Sequence, residues 1–140
     1  MISGNEKTKA LSSARIASVQ SLYEMEIAGA SIDSVTVDFL NNRWSDDRTE
    51  NDHHEPNKTL YNNLMIGVQE KKTTLDCEIS LVISNVGGLE RLDVLMKVIL
   101  RAGAYELLEE LLTPSAVIID EYVEITKSFY FSKEPGFVNG

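Results

Sequence analysis

Adjacent acidic and histidine pairs are the side chains in this sequence that could catalyse a reaction or hold a metal. Asp120 and Glu121 are neighbours in a segment with helical periodicity, so their side chains diverge by about 100° and make a poor catalytic pair. His53 and His54 are neighbours in a polar stretch, whereas two histidines that bind a metal from one helix are usually four residues apart. We therefore expect neither a catalytic centre nor a metal site.

Other signatures of enzyme chemistry are missing from the sequence. Cys77 is the only cysteine and has no histidine or basic neighbour to activate it, so we expect a small buried or half-buried residue. There is no glycine-rich phosphate loop, no H-E-x-x-H and no G-x-S-x-G. The sequence favours a non-enzymatic protein without a cofactor.

Basic and amide side chains near the start suit a different chemistry, the binding of RNA. Lys7, Lys9 and Arg15 lie at and before the start of the first helical segment, where the helix dipole also favours phosphate. Ordinary solvated charge is the alternative. Gln20 lies off the apolar stripe of this segment and could hydrogen-bond a base or face water. Tyr23 lies on that stripe, which favours a core aromatic over a base-stacking one.

A second group of candidates lies near the end of the chain. Single-stranded RNA is commonly bound by aromatic platforms and by hydrogen bonds to base edges. Phe129 and Phe137 could stack on bases, Asn139 could bond a base edge, and Lys127 could meet a phosphate. Phe129 shares a helical stripe with apolar residues, which favours a core position, so Phe137 is the better stacking candidate.

Arg101 and Glu106 are the candidates for binding a partner protein. Both are expected to project away from the main apolar stripe of the longest helical segment. Each could pair with a neighbouring helix of the same chain or with a partner, and the sequence leaves both roles open.

Helices are the elements that must position these residues. Glycine (8) and proline (3) are sparse, and apolar residues recur with a period near 3.6 rather than in alternation. The periodicity predicts helices at about 8–28, 31–43, 57–71, 74–84, 89–112 and from 114 to about 129, with a seventh beginning at 137–140. The polar residues 44–56 are expected to form a loop. The fold class is therefore all-α, a bundle of six to seven helices.

Particular residues are expected to mark the ends of these helices and to form their buried faces. Thr8 or Ser12 could cap the first, and Gly29 should end it. Ser31 or Asp33 could cap the second. The buried stripe of the first helix is expected to consist of Ile16, Val19, Tyr23 and Ile27. Gly103, on the apolar stripe of the fifth, predicts a close approach of two helices.

Composition limits how the chain could bind RNA. The 140 residues suit one domain or two packed halves. The net charge of −9 counts against binding of nucleic acid through the charge of the whole protein. RNA binding must therefore be local or helped by a basic partner. We expect no signal peptide in the polar start, and no stretch approaches the roughly 20 apolar residues that span a bilayer. We expect a soluble, cytoplasmic protein without a membrane partner.

Four blocks of this sequence resemble the NusB family of transcription antitermination factors, in family order and with family-like spacing. They are A-R-I-A-S-V-Q-S-L-Y-E-M at 14–25, I-L-R-A-G-A-Y-E-L-L at 99–108, V-I-I-D-E-Y-V-E-I-T-K-S-F at 117–129 and F-V-N-G at 137–140. The resemblance spans nearly the whole chain and favours an RNA contact for Arg15.

The resemblance implies two small packed helical bundles, which we place at residues 1–72 and 73–140. It also implies binding of the boxA element of ribosomal RNA leader transcripts together with NusE, a small-subunit ribosomal protein. This pair helps RNA polymerase, in an antitermination complex, to read through terminators. The family is not enzymatic and needs no metal.

The sequence departs from the family pattern in three places. The arm before the first helix has only two lysines, Lys7 and Lys9, where relatives often have several arginines. F-V-N-G is normally followed by V-L-D and the rest of a helix, so the C-terminal helix is expected to be cut short. Lys133 stands where some members carry an acidic residue.

Two alternative functions stay open from the sequence. The small number of basic residues before the first helix and the net charge of −9 fit a helical protein-interaction module with weak or no RNA binding. Similar bundles also occur as the helical domain of RNA methyltransferases, although no cofactor-binding region follows here.

Overall fold

The computed structural model describes residues 4–39, 57–83, 88–109 and 113–130. Within these ranges the chain forms six α-helices and a 3-10 turn at Leu89–Arg91, with no β-strand, so the all-α prediction is confirmed. The helices are α1 (Gly4–Ala28), α2 (Ile32–Asp38), α3 (Lys58–Glu70), α4 (Lys72–Ile83), α5 (Val94–Glu109) and α6 (Ser115–Tyr130). None of them is long and apolar enough to cross a membrane. The predicted loop at 44–56 and the predicted helix at 137–140 lie outside the described residues.

The chain divides into two compact units, Met1–Ile66 (unit 1) and Gly67–Gly140 (unit 2). The division falls inside α3, whose last residues belong to unit 2. A subdomain boundary after residue 72 stays a prediction.

Small side chains form much of the inward face of α1 in unit 1. Ser18 and Ser21 are completely buried there. The Ser18 hydroxyl donates to the Ala14 carbonyl at 2.8 Å, and the Ser21 and Tyr61 hydroxyls lie 2.8 Å apart in a buried hydrogen bond. Tyr61 in turn stacks on Phe39, with ring centroids 5.1 Å apart. A buried hydroxyl that forms a hydrogen bond costs little free energy, so serines can occupy the inward face of α1.

The predicted buried stripe of α1 is therefore wrong except at Val19. Ile16 is only partly buried, Tyr23 is 38% exposed and Ile27 is 58% exposed. The apolar core residues on this helix are instead Ala14, Ala17, Val19, Leu22 and Met25. The helix also begins at Gly4, before Thr8 and Ser12, so neither of these residues is its N-cap.

The end of α1 and the start of α2 follow the sequence signals. Gly29 has a φ of 70°, and its N–H donates to the Met25 carbonyl at 2.9 Å. Glycine adopts this left-handed conformation without a steric penalty, so the predicted end of the helix is confirmed. Ser31 caps α2 by accepting a hydrogen bond from the Ser34 N–H at 3.0 Å, as predicted.

The fifth predicted helix begins later than its periodicity indicated. A 3-10 turn occupies Leu89–Arg91, and α5 starts at Val94. The Asp93 carboxylate accepts from the Met96 N–H at 2.8 Å, which makes Asp93 the cap of a new helix. The prediction of an unbroken helix from Leu89 is wrong. The apolar residues keep a helical period through this point, but the cap at Asp93 starts a new helix.

In unit 2 the core lies between α5 and its neighbours α4 and α6. Its buried apolar residues are Leu75, Ile79, Ile83, Met96, Val98, Ile99, Ala102, Ile118, Tyr122 and Ile125. A Cβ added at Gly103 would lie 3.4 Å from Cγ of Tyr122. The close approach of helices predicted at this glycine is thus confirmed.

Replacing Gly67 is expected to be more disruptive than replacing Gly103. A Cβ at Gly67 would overlap the Tyr105 ring, whereas one at Gly103 would make ordinary contact. We expect Gly67→Ala to lower the unfolding free energy by about 1–3 kcal/mol through overpacking. Gly103→Ala should stay within about 1 kcal/mol, because the added Cβ makes only ordinary contact and alanine has the higher helix propensity. Urea denaturation measures both, and equal effects would contradict the structure.

Candidate nucleic-acid interface

In unit 1, α1 carries the first group of RNA-binding candidates. Lys7, Lys9 and Gln20 are exposed. Lys9 and Gln20 are eleven residues apart, so they share a face within about 20° and lie about 16 Å apart along the axis. Lys7 is about 160° away from Lys9 around the helix. The structure therefore brings Lys9 and Gln20 to one face and sets Lys7 on another.

Arg15 is placed differently from its expected role. Its side chain is buried, with only 3% of the residue exposed, although it stands in the first of the family-like blocks. A phosphate contact through Arg15 would require the guanidinium to leave this position. Its RNA-binding role stays a prediction, and the two lysines are better exposed for that role.

Tyr23 is one of the residues for which the sequence predicted the wrong position. Its exposure, 38%, contradicts the expected core position. Gln20, three residues earlier on the same helix, is also exposed. The apolar periodicity gave the opposite signal, because the inward face of α1 uses serine and alanine where large apolar residues were expected.

In unit 2, α6 carries Lys127 and Phe129. Lys127 is exposed and donates to Glu124 at 3.2 Å, a surface pair that contributes little to stability and can open to another anion. Phe129 is half-buried, at the end of a stripe whose other members are buried. Phe137 and Asn139 lie outside the described residues. The two described candidates are two positions apart on a helix and so project about 160° from each other.

Arg101 and Glu106 are both engaged inside unit 2. Arg101 is 6% exposed and donates from Nε and Nη2 to the two carboxylate oxygens of Asp76, at 2.7 and 3.0 Å. Glu106 is 1% exposed and accepts from the Tyr122 hydroxyl at 2.8 Å. The expectation that both project away from the buried face is wrong. Arg101 and Glu106 thus pair within the chain, which is one of the two roles that the sequence left open. Their role in binding a partner stays a prediction.

The remaining candidates for chemistry are dispersed. Cys77 is exposed on α4, contrary to the expected buried or half-buried position. Across the described ranges, His, Cys, Asp and Glu nowhere form a group of three that could hold a metal. His53 and His54 lie outside these ranges.

Unit 2 also contains an apolar groove. Its volume is about 290 Å³, and α4, α5 and α6 line it with mainly aliphatic side chains, among them Ile79, Val82, Leu107 and Ile118. Such a lining offers few hydrogen bonds, so the groove suits apolar contacts rather than bases or phosphates.

The described residues therefore form an all-α protein whose first helix exposes Lys7, Lys9, Gln20 and Tyr23. The model of the NusB family matches residues 12–140. The chain therefore belongs to the NusB family.

Three curated relatives show the extent of the similarity. The transcription antitermination protein NusB of Caulobacter vibrioides is 40% identical over 139 residues, covering 99% of this chain and 93% of that protein. The proteins of the same name from Maricaulis maris and Mesorhizobium japonicum are 34% and 36% identical over 126 residues. These alignments cover 90% of this chain and 79% and 81% of the two relatives.

Proposed function

We propose that this protein is a non-enzymatic, cytoplasmic transcription antitermination factor. It binds boxA-type RNA of ribosomal RNA leader transcripts together with NusE, within an RNA polymerase antitermination complex. The observation that carries the proposal is membership of the NusB family over nearly the whole chain, with relatives named transcription antitermination proteins.

Local charge at the start of the chain supports an RNA contact. Lys7 and Lys9 are exposed near the N-terminal end of α1, and Glu6 is the one acid next to them in sequence. The other two acids of α1, Glu24 and Glu26, follow near its C-terminal end, so the N-terminal part of the helix is locally positive although the whole chain carries −9. The N-terminal end of α1 adds the positive end of the helix dipole. Binding by this chain alone is then weak, and a basic partner such as NusE would strengthen it.

The other proposed RNA contacts are with bases and with one more phosphate. Gln20 is exposed for a hydrogen bond to a base edge, and Lys127 for a phosphate. Phe129, Phe137 and Asn139 complete the proposed set, with the aromatic rings as stacking platforms.

Fluorescence anisotropy with a labelled boxA RNA tests the proposal. The RNA is titrated with this protein alone and with an equimolar mixture of this protein and NusE, and a scrambled strand serves as control. We expect weak binding by the protein alone and tighter binding, selective for boxA, by the pair. Equal affinity of the pair for both strands would refute the RNA function.

The lysines of α1 should account for part of the salt dependence. Each phosphate contact on a single strand contributes about 0.7 to the slope of log K against log salt. Lys7→Gln with Lys9→Gln should therefore reduce this slope by up to about 1.4. Lys71→Gln is the matched control, because Lys71 is an exposed lysine of unit 2 that pairs with Glu109 at 3.7 Å. An unchanged slope in the double variant would remove both lysines from the interface.

A protein-interaction module without RNA binding is the second candidate. The charge of −9 favours it, because an acidic chain attracts a basic protein and repels RNA. It predicts tight binding of NusE that boxA RNA does not strengthen. A ternary complex more stable than the binary one would exclude it.

A further inference from the structure

The last residue of α6 forms a hydrogen bond with the residue that caps α5. The Tyr130 hydroxyl donates to Oδ1 of Asp93 at 2.7 Å, and the two residues are 37 positions apart in sequence. The same carboxylate oxygen accepts from the Met96 N–H at 2.8 Å. Because the Asp93 side chain is already held as the N-cap of α5, it offers the tyrosine an acceptor at a fixed position.

This hydrogen bond lies beyond the part of α6 that the core of unit 2 holds. Ile125 is 4% exposed and Thr126 is completely buried, whereas each residue of the last turn, 127–130, is exposed or half-buried. The last turn of a helix opens easily, because its carbonyl groups have no partners within the helix. A hydrogen bond from Tyr130 to another helix therefore opposes the opening of this turn.

The same turn carries the RNA-binding candidates of unit 2 that the structure describes. Lys127 and Phe129 lie three positions and one position before Tyr130. An open turn would hold neither the ammonium group nor the aromatic ring at a fixed position. A ligand that needs the ordered turn binds in proportion to the fraction of molecules in which the turn is ordered. The hydrogen bond thus raises RNA affinity without any contact between Tyr130 and the RNA.

We infer that Tyr130 and Asp93 are positioning residues of the RNA site, and that their hydrogen bond orders Lys127 and Phe129 for contact with a phosphate and a base. The inference rests on the proposed function and adds the contact that orders its site in unit 2. Asp93 is exposed and Tyr130 is half-buried, so water competes for the hydrogen bond. Its loss should change the opening equilibrium of the turn about 2- to 10-fold.

Two tyrosine variants on α6 test the inference in the complex with NusE. Tyr130→Phe removes the hydroxyl but keeps the ring, and we expect it to weaken boxA binding about 2- to 10-fold. Tyr122→Phe is the matched control, because it removes a buried hydroxyl hydrogen bond of 2.8 Å from the same helix. It should leave boxA affinity within about twofold of wild type, although it destabilises the core of unit 2. Equal weakening by both variants would show that affinity follows general stability, which overturns the inference.

An asparagine at the cap provides a rescue. Asp93→Asn keeps an oxygen that can accept from both Tyr130 and the Met96 N–H, and asparagine is as good an N-cap as aspartate. This variant should bind boxA within about twofold of wild type. Thermal unfolding confirms that each variant is folded.

A double-variant background separates positioning from a direct contact. In Lys127→Gln with Phe129→Leu, the last turn presents neither candidate to the RNA, so adding Tyr130→Phe should change boxA affinity by less than about twofold. An undiminished effect of Tyr130→Phe in this background would show that the tyrosine acts by itself, which overturns the inference. Wild-type affinity in the background variant would overturn it as well.

Hydrogen exchange measured by mass spectrometry detects the ordering of the turn without RNA. In Tyr130→Phe, amides of residues 127–130 should exchange about 2- to 10-fold faster, while those in the middle of α5 keep their rates. If the wild-type complex does not select boxA RNA, the proposed function fails and the inference fails with it. If the complex selects boxA but Tyr130→Phe leaves either the exchange rate or the affinity unchanged, the inference alone is overturned.

Discussion

An Asp76→Ala variant is expected to lose about 2–4 kcal/mol of unfolding free energy. The Arg101 side chain is 8% exposed and donates two hydrogen bonds to Asp76, so the substitution leaves a buried guanidinium without this carboxylate. The Asp76 side chain is 28% exposed, and water that reaches it keeps the loss below that of a fully buried pair. Urea denaturation followed by circular dichroism measures the change.

Glu78→Ala is the control for this ion pair. It removes the same charge from an exposed position on the same helix and should change stability by less than about 0.5 kcal/mol. Adding Arg101→Met to Asp76→Ala should restore part of the loss, because it removes the buried charge that Asp76 no longer offsets. Equal effects of Asp76→Ala and Glu78→Ala would show that the pair contributes nothing. The double variant also tests the predicted partner contact of Arg101, since NusE binding should survive if Arg101 acts only within unit 2.

The second large effect is expected at Glu106, where alanine should cost about 3–4 kcal/mol. The substitution removes the acceptor of the Tyr122 hydroxyl, which costs about 1–3 kcal/mol in a buried site, and leaves a cavity in place of a fully buried side chain. Glu106→Gln keeps an acceptor and the shape, so it should cost about 1 kcal/mol or less. The same urea titrations separate the two variants.

The Tyr122→Phe variant completes the comparison. It removes the donor of the Glu106 hydrogen bond while preserving the ring against Gly103, and we expect a loss of about 1 kcal/mol. If Glu106→Ala and Glu106→Gln prove equally stable, the Tyr122 hydrogen bond does not support unit 2. The Glu106→Gln variant, which stays folded, then measures whether this residue affects NusE binding.

Helices and their ends could be predicted because their causes are local. Gly29 ends α1 through its own backbone conformation, and Ser31 caps α2 through a residue three positions away. Gly103 was predictable for a related reason, since a glycine on the apolar stripe of a helix indicates that another element packs against it, here through Tyr122. Asp93 had an equally local signal, but the continuous apolar period concealed it.

Burial of polar residues was not predictable, because their partners are distant in sequence. Ser21 is buried with Tyr61, 40 residues away, and Arg101 with Asp76, 25 residues away. Glu106 is buried with Tyr122, 16 residues away. A periodicity rule sorts side chains by their own polarity, so it placed Arg101 and Glu106 outside and Tyr23 inside.

The candidate site on α1 was predictable only in part. Lys7, Lys9 and Gln20 are exposed on α1, as RNA contacts require, whereas the buried Arg15 is not. Tyr23 is exposed on the same helix, whose inward face includes the buried Ser18 and Ser21, and the apolar periodicity did not indicate that these serines are buried.

Transcription in vitro tests antitermination most directly. RNA polymerase transcribes a template with a boxA sequence upstream of a terminator, in the presence of NusE and the other components of an antitermination complex, with and without this protein. The proposed function predicts a greater fraction of read-through transcripts when the folded protein is present and no increase on a template with scrambled boxA. Unchanged read-through on the boxA template, or an equal increase on both templates, would contradict it.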